Sequence, residues 1–136
     1  MTAPVDYIYD SIQNKNFQPA PLAPEQITGG NPVARSAEIG ASPDGLFTVC
    51  LWECTAGQFK WNYYCDETVH ILEGSAIVKG VGQKARTLKA GDVVYFPHGL
   101  QSEWDIPQYV KKLAIFRSTN TSLLSRILGK IRRLLG

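Results

Sequence analysis

Between residues 37 and 117, hydrophobic residues occur in short runs that are separated by turn-forming residues at close intervals. The turn signals include SPDG at 42–45, KAGD at 89–92 and PHG at 97–99. Many short runs with evenly spaced turns predict an all-β domain, either a sandwich or a barrel. The expected strands span residues 46–55, 58–64, 67–72, 75–79, 84–88, 93–96, 102–105 and 109–117.

The two ends of the chain differ from this central region. Residues 1–36 contain five prolines, which resist helix formation, and we expect an arm that lies across the domain. From Thr121 onwards, leucine and isoleucine recur at helical spacing with basic residues between them, which predicts an amphipathic helix. We therefore divide the chain into an N-terminal arm (1–36), a barrel (37–117) and a C-terminal amphipathic helix (118–136).

Charge is distributed unevenly along the chain, although the formal net charge is only +2. Residues 117–136 contain five basic and no acidic residues, whereas residues 1–116 contain nine basic and twelve acidic residues. The mildly acidic body argues against nucleic-acid binding. We expect the basic helix to dock on the barrel or on a second subunit. Contact with a membrane surface through residues 121–136 is the disfavoured alternative.

Cysteine spacing bears on the compartment in which the protein works. Cys50 and Cys54 are four positions apart on a predicted strand, so their Cα atoms lie about 13 Å apart. A disulfide tolerates at most about 7 Å. No apolar run suits a signal sequence or a membrane span. Together these features predict a cytoplasmic location with reduced thiols.

Two stretches resemble the paired motifs of the cupin superfamily: GQFKWNYYCDETVHILEG at 57–74 and GDVVYFPHGLQSEW at 91–104. Glu67 and Gly74 match the end of the first motif, and Gly91, Pro97 and Gly99 match the second. The resemblance implies the cupin double-stranded β-helix, an RmlC-like jelly-roll barrel. The three positions where the family carries metal-binding histidines are occupied here by Trp61, Tyr63 and Ser102.

A finer resemblance is carried by GGNPVARSAEI at 29–39 and LWECTAGQFKW at 51–61. These stretches are similar to the small single-domain cupins related to the ureidoglycine aminohydrolase cupin domain. Those enzymes use a metal, and this sequence keeps only the glutamate of the usual ligand set. We therefore expect no conventional metal site and do not carry the family's activity over to this chain.

Strand alternation defines the candidate site in the barrel mouth. If Glu67 faces inward, Val69 and Ile71 do so too, whereas His70 faces outward. Glu67 is the candidate catalytic residue, acting as a general acid or base; the alternative is a structural role with a hydrogen bond to Tyr63 or Ser102. The basic residues Arg86, Lys89, Lys111 and Lys112 are interpreted as solvated surface. The expected ligand-binding residues are Phe59, Trp61, Tyr63, Glu67, Ser102 and Trp104.

Three functions remain open at this point. The first is a cupin that binds, or also transforms, a small polar metabolite in an aromatic pocket without a metal. The second is a metal-dependent enzyme with an atypical ligand set drawn from Tyr63, Cys65, Glu67 and His98. The third is a non-catalytic interaction module. The sequence does not decide whether the protein is an enzyme, and a homodimer is expected in each case, because cupin barrels commonly pair.

Overall fold

Strands make up nearly all of the regular structure in the computed structural model, which describes residues 4–13 and 16–118. Eight strands form one antiparallel sheet, so the all-β prediction is confirmed. A single 3-10 turn at Pro24–Gln26 is the only helical element in this part of the chain. The predicted C-terminal helix lies outside the described residues. The strands are β1 (Gln18–Pro19), β2 (Ile27–Gly30), β3 (Ala34–Ala41), β4 (Phe47–Asn62), β5 (Asp66–Gly80), β6 (Arg86–Lys89), β7 (Val93–Phe96) and β8 (Gln101–Arg117).

The sheet is organised around β8, which pairs with β4 on one side and β5 on the other. The strand order is β1-β3-β4-β8-β5-β6, with β2 also paired to β4 and β7 to β5. Residues from six strands, β3 to β8, meet in one buried cluster, so the sheet wraps around a single interior. That cluster includes Trp52 from β4, Val69 from β5, Leu88 from β6, Phe96 from β7 and Trp104 from β8.

The three long strands are longer than the sequence predicts, because each joins two expected strands. β4, at 47–62, covers most of the runs 46–55 and 58–64, β5 covers 67–72 and 75–79, and β8 covers 102–105 and 109–117. The expected turns between them are irregularities in continuous strands, at Thr55/Gly57, Ile71/Glu73 and Gly74/Ile77. A bulge bends a strand without ending it, which lets one strand follow the curve of a barrel.

Gly74 shows why a turn-like residue is needed inside β5. Its φ is +71°, a left-handed conformation that residues with a Cβ adopt only at a cost. A Cβ atom at this position would lie 1.9 Å from the carbonyl oxygen of Tyr109 on β8. The close approach of two backbones explains this glycine. The tight turn expected at Glu73-Gly74, between the predicted strands 67–72 and 75–79, is wrong.

The other predicted turns are confirmed by backbone hydrogen bonds. The N–H of Gly45 donates to Ser42 (2.9 Å), that of Asp92 to Lys89 (3.0 Å) and that of Leu100 to Pro97 (3.2 Å). Asp92 also accepts the N–H of Lys89 through its carboxylate at 2.9 Å. The first of these turns joins β3 to β4, the second joins β6 to β7 and the third joins β7 to β8.

The segment expected as an arm contains two short strands of its own. β1 pairs with β3 and β2 pairs with β4, so residues 18–19 and 27–30 are part of the sheet. Before them, Lys111 donates a hydrogen bond from Nζ to the carbonyl oxygen of Ile12 at 2.8 Å. Phe17 lies beneath two cations, with Arg35 at 5.4 Å and Lys111 at 5.8 Å from its ring centroid. Ile12 and Phe17 are therefore held against Arg35 of β3 and Lys111 of β8.

Within the described residues, no helix has the length and apolar character that crossing a membrane would require.

Candidate functional site

Glu67 lies on the inner face of β5, as the strand alternation predicts. Glu67, Val69 and Ile71 are each 0% exposed, whereas His70 between them is exposed. β5 has neighbours on both sides at this point, because Glu67 pairs with Phe96 on β7 and with Phe116 on β8. A carboxyl group that is shielded so completely must find a partner inside the protein.

Aromatic rings surround the interior near this carboxylate. Phe59 on β4 stacks against Trp104 on β8 with ring centroids 6.0 Å apart, and Phe59 also meets Trp61 edge-on at 6.4 Å. Tyr63 stacks on Phe96 at 4.7 Å. Of the predicted site residues, Phe59, Tyr63 and Trp104 are buried, while Trp61 is partly exposed. Trp61 is thus the ring of the set that lies nearest to solvent.

Ser102 contributes to the architecture of the mouth. It is 3% exposed and lies on β8 directly opposite Trp61 on β4. Its hydroxyl donates to the backbone carbonyl of Trp61 at 2.9 Å. The structure therefore gives the Ser102 hydroxyl a backbone partner, which fastens β8 to β4 beside the partly exposed ring.

Lys112 is the partner of Glu67, and its interpretation as solvated surface is wrong. Its Nζ lies 2.8 Å from Oε2 of Glu67, and the two side chains are 7% and 0% exposed. Nζ also lies 4.7 Å from the ring centroid of Trp52 and 5.0 Å from that of Trp104. A carboxylate and two aromatic faces therefore stabilise one buried ammonium group.

Lys111, the neighbour of Lys112, is also buried but faces outward, where it binds Ile12. Arg86 and Lys89 are exposed, as expected. The alternation of buried positions along β8 predicts that Lys112 faces inward. Ser102, Trp104, Ile106, Val110, Lys112 and Ala114 are all buried, and they occupy even-numbered positions. Extending the alternation from Trp104 would have placed Lys112 inside.

Two further polar groups belong to this interior. Trp104 is 2% exposed, and its indole Nε1 has no hydrogen-bond partner among the described residues. Cys54 is fully buried, and burial raises the pKa of its thiol from 9.0 to about 12, against a smaller lowering by Lys112. Cys54 is therefore a neutral thiol near pH 7. The indole N–H is a buried donor that is available to an acceptor.

The residues present do not fit a conventional metal site. Within residues 4–13 and 16–118, no three His, Cys, Asp or Glu side chains are grouped so that they could hold a metal ion. His98 is exposed, and its backbone N–H donates to Oδ1 of Asp66 at 3.0 Å. Cys65 is buried. The atypical ligand set considered from the sequence is thus not brought together.

A small polar cluster stands outside the barrel mouth. The hydroxyl of Tyr95 donates to Oδ1 of Asp66 at 2.8 Å, beside the bond from the His98 backbone. These two hydrogen bonds, the backbone one first, lower the pKa of Asp66. Asp66 therefore stays ionised and fixes the turn after β7 against the start of β5.

Comparison with known proteins agrees with this architecture. The family model described as the EutQ-like cupin domain matches residues 41–114. No match is found among curated proteins.

Solved structures with the same fold come from several bacteria. One is a putative ethanolamine utilization protein Q from Salmonella typhimurium, with 25% identity and a TM-score of 0.57, covering 65% of this chain and 72% of the other. A DUF861-family protein of unknown function from Pseudomonas syringae has 20% identity and a TM-score of 0.68, covering 74% and 43%. A cupin-like protein from Thermotoga maritima has 16% identity and a TM-score of 0.62, covering 80% and 85%. The latter two similarities establish the cupin fold alone.

Proposed function

The chain belongs to the family of EutQ-like cupin domains, and we propose that its barrel binds a small polar metabolite without a metal ion. The observation that supports this function is the buried Glu67–Lys112 pair, whose ammonium group lies against an aromatic cage formed by Trp52 and Trp104. An enclosed apolar pocket with a few convergent polar groups is the usual form of a small-molecule site.

Lys112 supplies the positive charge that a metal ion supplies in metal-binding cupins. A buried carboxylate needs a cation or a proton, and the Lys112 ammonium stands 2.8 Å from Oε2 of Glu67. A metal ion would have to displace this ammonium, and the adjoining Trp61, Tyr63 and Ser102 offer it no imidazole. The pair is neutral as a whole, so an uncharged or zwitterionic ligand adds no net charge to the interior.

The polar atoms indicate what such a ligand carries. Trp104 Nε1 is a buried donor without a partner in the described part of the chain, so the ligand presents a hydrogen-bond acceptor. Flat or apolar parts of the ligand stack on the rings of Phe59 and Trp61, the latter being open to solvent. Glu67 serves as the general acid or base if the bound molecule is also transformed.

A thermal-shift screen of small polar metabolites tests this function. A ligand at one hundred times its Kd stabilises the protein by about 2.7 kcal/mol, which raises the melting temperature measurably. Trp104→Phe keeps an aromatic ring but removes the indole N–H together with part of the ring area, and it should abolish the shift. His70→Ala, on the outward face of the same strand as Glu67, should retain it. A library that stabilises neither the wild type nor the control variant would contradict the proposal.

A metal-dependent activity of the ureidoglycine aminohydrolase type is the competing enzyme function. It requires a metal bound through Glu67, whose carboxylate is already paired with Lys112. Elemental mass spectrometry of the purified protein separates the two. Stoichiometric Mn, Fe, Ni or Zn that is lost in Glu67→Gln would favour the metalloenzyme and contradict our proposal.

A non-catalytic interaction module is favoured by a different observation, the apolar N-terminal segment. Val5, Tyr7, Ile8 and Tyr9 are exposed by 100%, 85%, 65% and 82%. Such a run suits a second subunit. A homodimer is compatible with either function of the barrel interior. The cytoplasmic location remains a prediction.

A further inference from the structure

We propose that Lys112 forms an imine with small aldehydes or ketones that enter the barrel. This inference rests on the proposed binding function, and it names the substrate class. The amine, its proton acceptor and the surrounding rings all belong to the Glu67–Lys112 pair and its cage.

Lys112 differs from every other described lysine in its surroundings. Lys60, Lys79, Lys84 and Lys89 are exposed, and Lys111 binds a backbone carbonyl on the outer face of the sheet. Lys112 instead faces the interior, with Nζ between a carboxylate and the rings of Trp52 and Trp104. Lysines in such dry sites are the ones that proteins use for Schiff-base chemistry.

Glu67 gives the ammonium proton a place to go. Nζ and Oε2 are 2.8 Å apart, so one proton can pass along this hydrogen bond and leave a neutral amine beside a neutral carboxylic acid. In a dry interior the neutral pair avoids the cost of burying two charges. The amine then attacks the carbonyl carbon, the C=O π electrons move to the oxygen, and one proton passes from nitrogen to that oxygen to give the neutral carbinolamine.

Loss of water completes the step, with atoms and charges balanced. Glu67 returns its proton to the carbinolamine hydroxyl, the C–O bond breaks and water leaves as the C=N bond forms. The net change is an ammonium plus a carbonyl giving an iminium plus one water, with Glu67 ionised before and after. No oxidant or reductant is required.

The cage suits the product as well as the reactant. An iminium carries the same single positive charge as the ammonium, so Glu67 and the rings of Trp52 and Trp104 stabilise it by the same contacts. The buried Trp104 N–H is a donor of the kind that a carbonyl oxygen accepts. The rings enclose the amine closely, which favours small carbonyl compounds.

Reductive trapping tests the inference on the full chain. Purified protein is incubated with propanal at low concentration and sodium cyanoborohydride at pH 7, and the alkylated lysines are located by peptide mass mapping. We expect Lys112 to be alkylated about tenfold faster than Lys60 or Lys79. The reason is that Glu67 is held beside the Lys112 amine, so the base has a high effective concentration at that amine. Lys112→Arg should lose this fast phase, and the matched variant Lys111→Arg should keep it. Glu67→Gln should slow it.

A different labelling pattern would contradict the inference. If the exposed lysines are alkylated while Lys112 stays unmodified in the wild type, the inference is wrong, and this reading does not depend on whether Lys112→Arg folds. Metabolites that stabilise the protein through Trp104 would still support the proposed function in that case. If no such metabolite exists but Lys112 is trapped rapidly, the imine stands and the reversible binding function fails.

Discussion

At the scale of single residues, Glu67 and Lys112 dominate the energetics of the interior. Their side chains are 0% and 7% exposed, so water cannot replace either partner when the other is removed. We predict that Glu67→Gln and Lys112→Met each lower the free energy of unfolding by about 3–5 kcal/mol, because each leaves a buried group uncompensated. The double variant should be more stable than either single variant. Urea denaturation measures all three.

Lys79→Met is the control for this pair. Lys79 lies on β5 and is exposed, so its replacement should change the free energy of unfolding by less than about 0.5 kcal/mol. Strictly additive losses in the double variant would mean that Glu67 and Lys112 are not coupled.

Cys54 makes stability depend on pH in the alkaline range. Burial raises the pKa of its thiol from 9.0 to about 12, so above pH 9 the unfolded chain releases a proton that the folded chain keeps. The free energy of unfolding should therefore fall as the pH rises from 9 towards 12, and the contribution is complete below pH 9. Cys54→Ala should flatten this decline in urea denaturation experiments carried out at several pH values.

Tyr109 adds to the same decline. Burial and its 2.5 Å hydrogen bond to Glu53 raise the pKa of Tyr109 above its usual range. Tyr109→Phe should therefore also reduce the alkaline slope, whereas Tyr64→Phe, at an exposed tyrosine, should leave it intact. An unchanged slope in both Cys54→Ala and Tyr109→Phe would contradict this assignment.

The same residues show how far residue-level prediction extends. Glu67 and its ring neighbours followed from motif spacing and alternation, which depend only on local geometry. Lys112 was missed because lysine is rarely buried unless it is paired, and its partner is 45 positions away in the sequence. A pairing across β5 and β8 cannot be read before the register of the two strands is known.

At the scale of elements, the long strands depend on their bulges. β4 and β5 each continue through a segment that the sequence presents as a turn, and β8 continues through the gap between two expected strands. Glycine punctuates both turns and bulges, so composition alone does not separate them. The short strand Val93–Phe96, which ends at a true turn, was predicted with its observed limits, whereas β6 was expected at 84–88 and spans Arg86–Lys89.

Gly74 offers a direct test of the bulge in β5. Gly74→Ala should destabilise the protein by more than the roughly 1–2 kcal/mol that a left-handed conformation costs, because the new Cβ would also meet Tyr109. Gly82→Ala is the matched control, since Gly82 has φ +74° but nothing within 4 Å of the added atom. Thermal denaturation should show the larger loss at Gly74. Equal losses would mean that the contact with β8 is not restrictive.

At the scale of the whole molecule, the sequence predicted the cupin fold but did not predict the function of the barrel interior. The two motifs mark the positions around which a cupin barrel closes, and the family match over residues 41–114 agrees with them. The finer resemblance rests on segments that include only one of the ligand positions, Trp61. The chemistry depends on which side chains the long strands bring together: Trp61, Tyr63 and Ser102 stand where other cupins carry histidines, and Lys112 pairs with Glu67.

The exposed N-terminal segment predicts that the protein is a homodimer. Val5, Tyr7 and Tyr9 are at least 82% exposed, although Lys111 holds the following backbone at Ile12. Soluble proteins rarely leave such a patch uncovered, and a second copy presents the same surface in return. Light scattering should give twice the 15.0 kDa chain mass. Replacing Val5, Tyr7 and Tyr9 with serine should reduce it to that of a single chain.

Val81→Ser provides the comparison, because Val81 is 69% exposed in the loop between β5 and β6 and belongs to no such run. Its mass should equal that of the wild type. Each apolar side chain that a partner buries contributes about 1.5–3 kcal/mol, so loss of three should weaken association by several orders of magnitude. A triple variant that keeps the doubled mass would show that the copies meet through another surface.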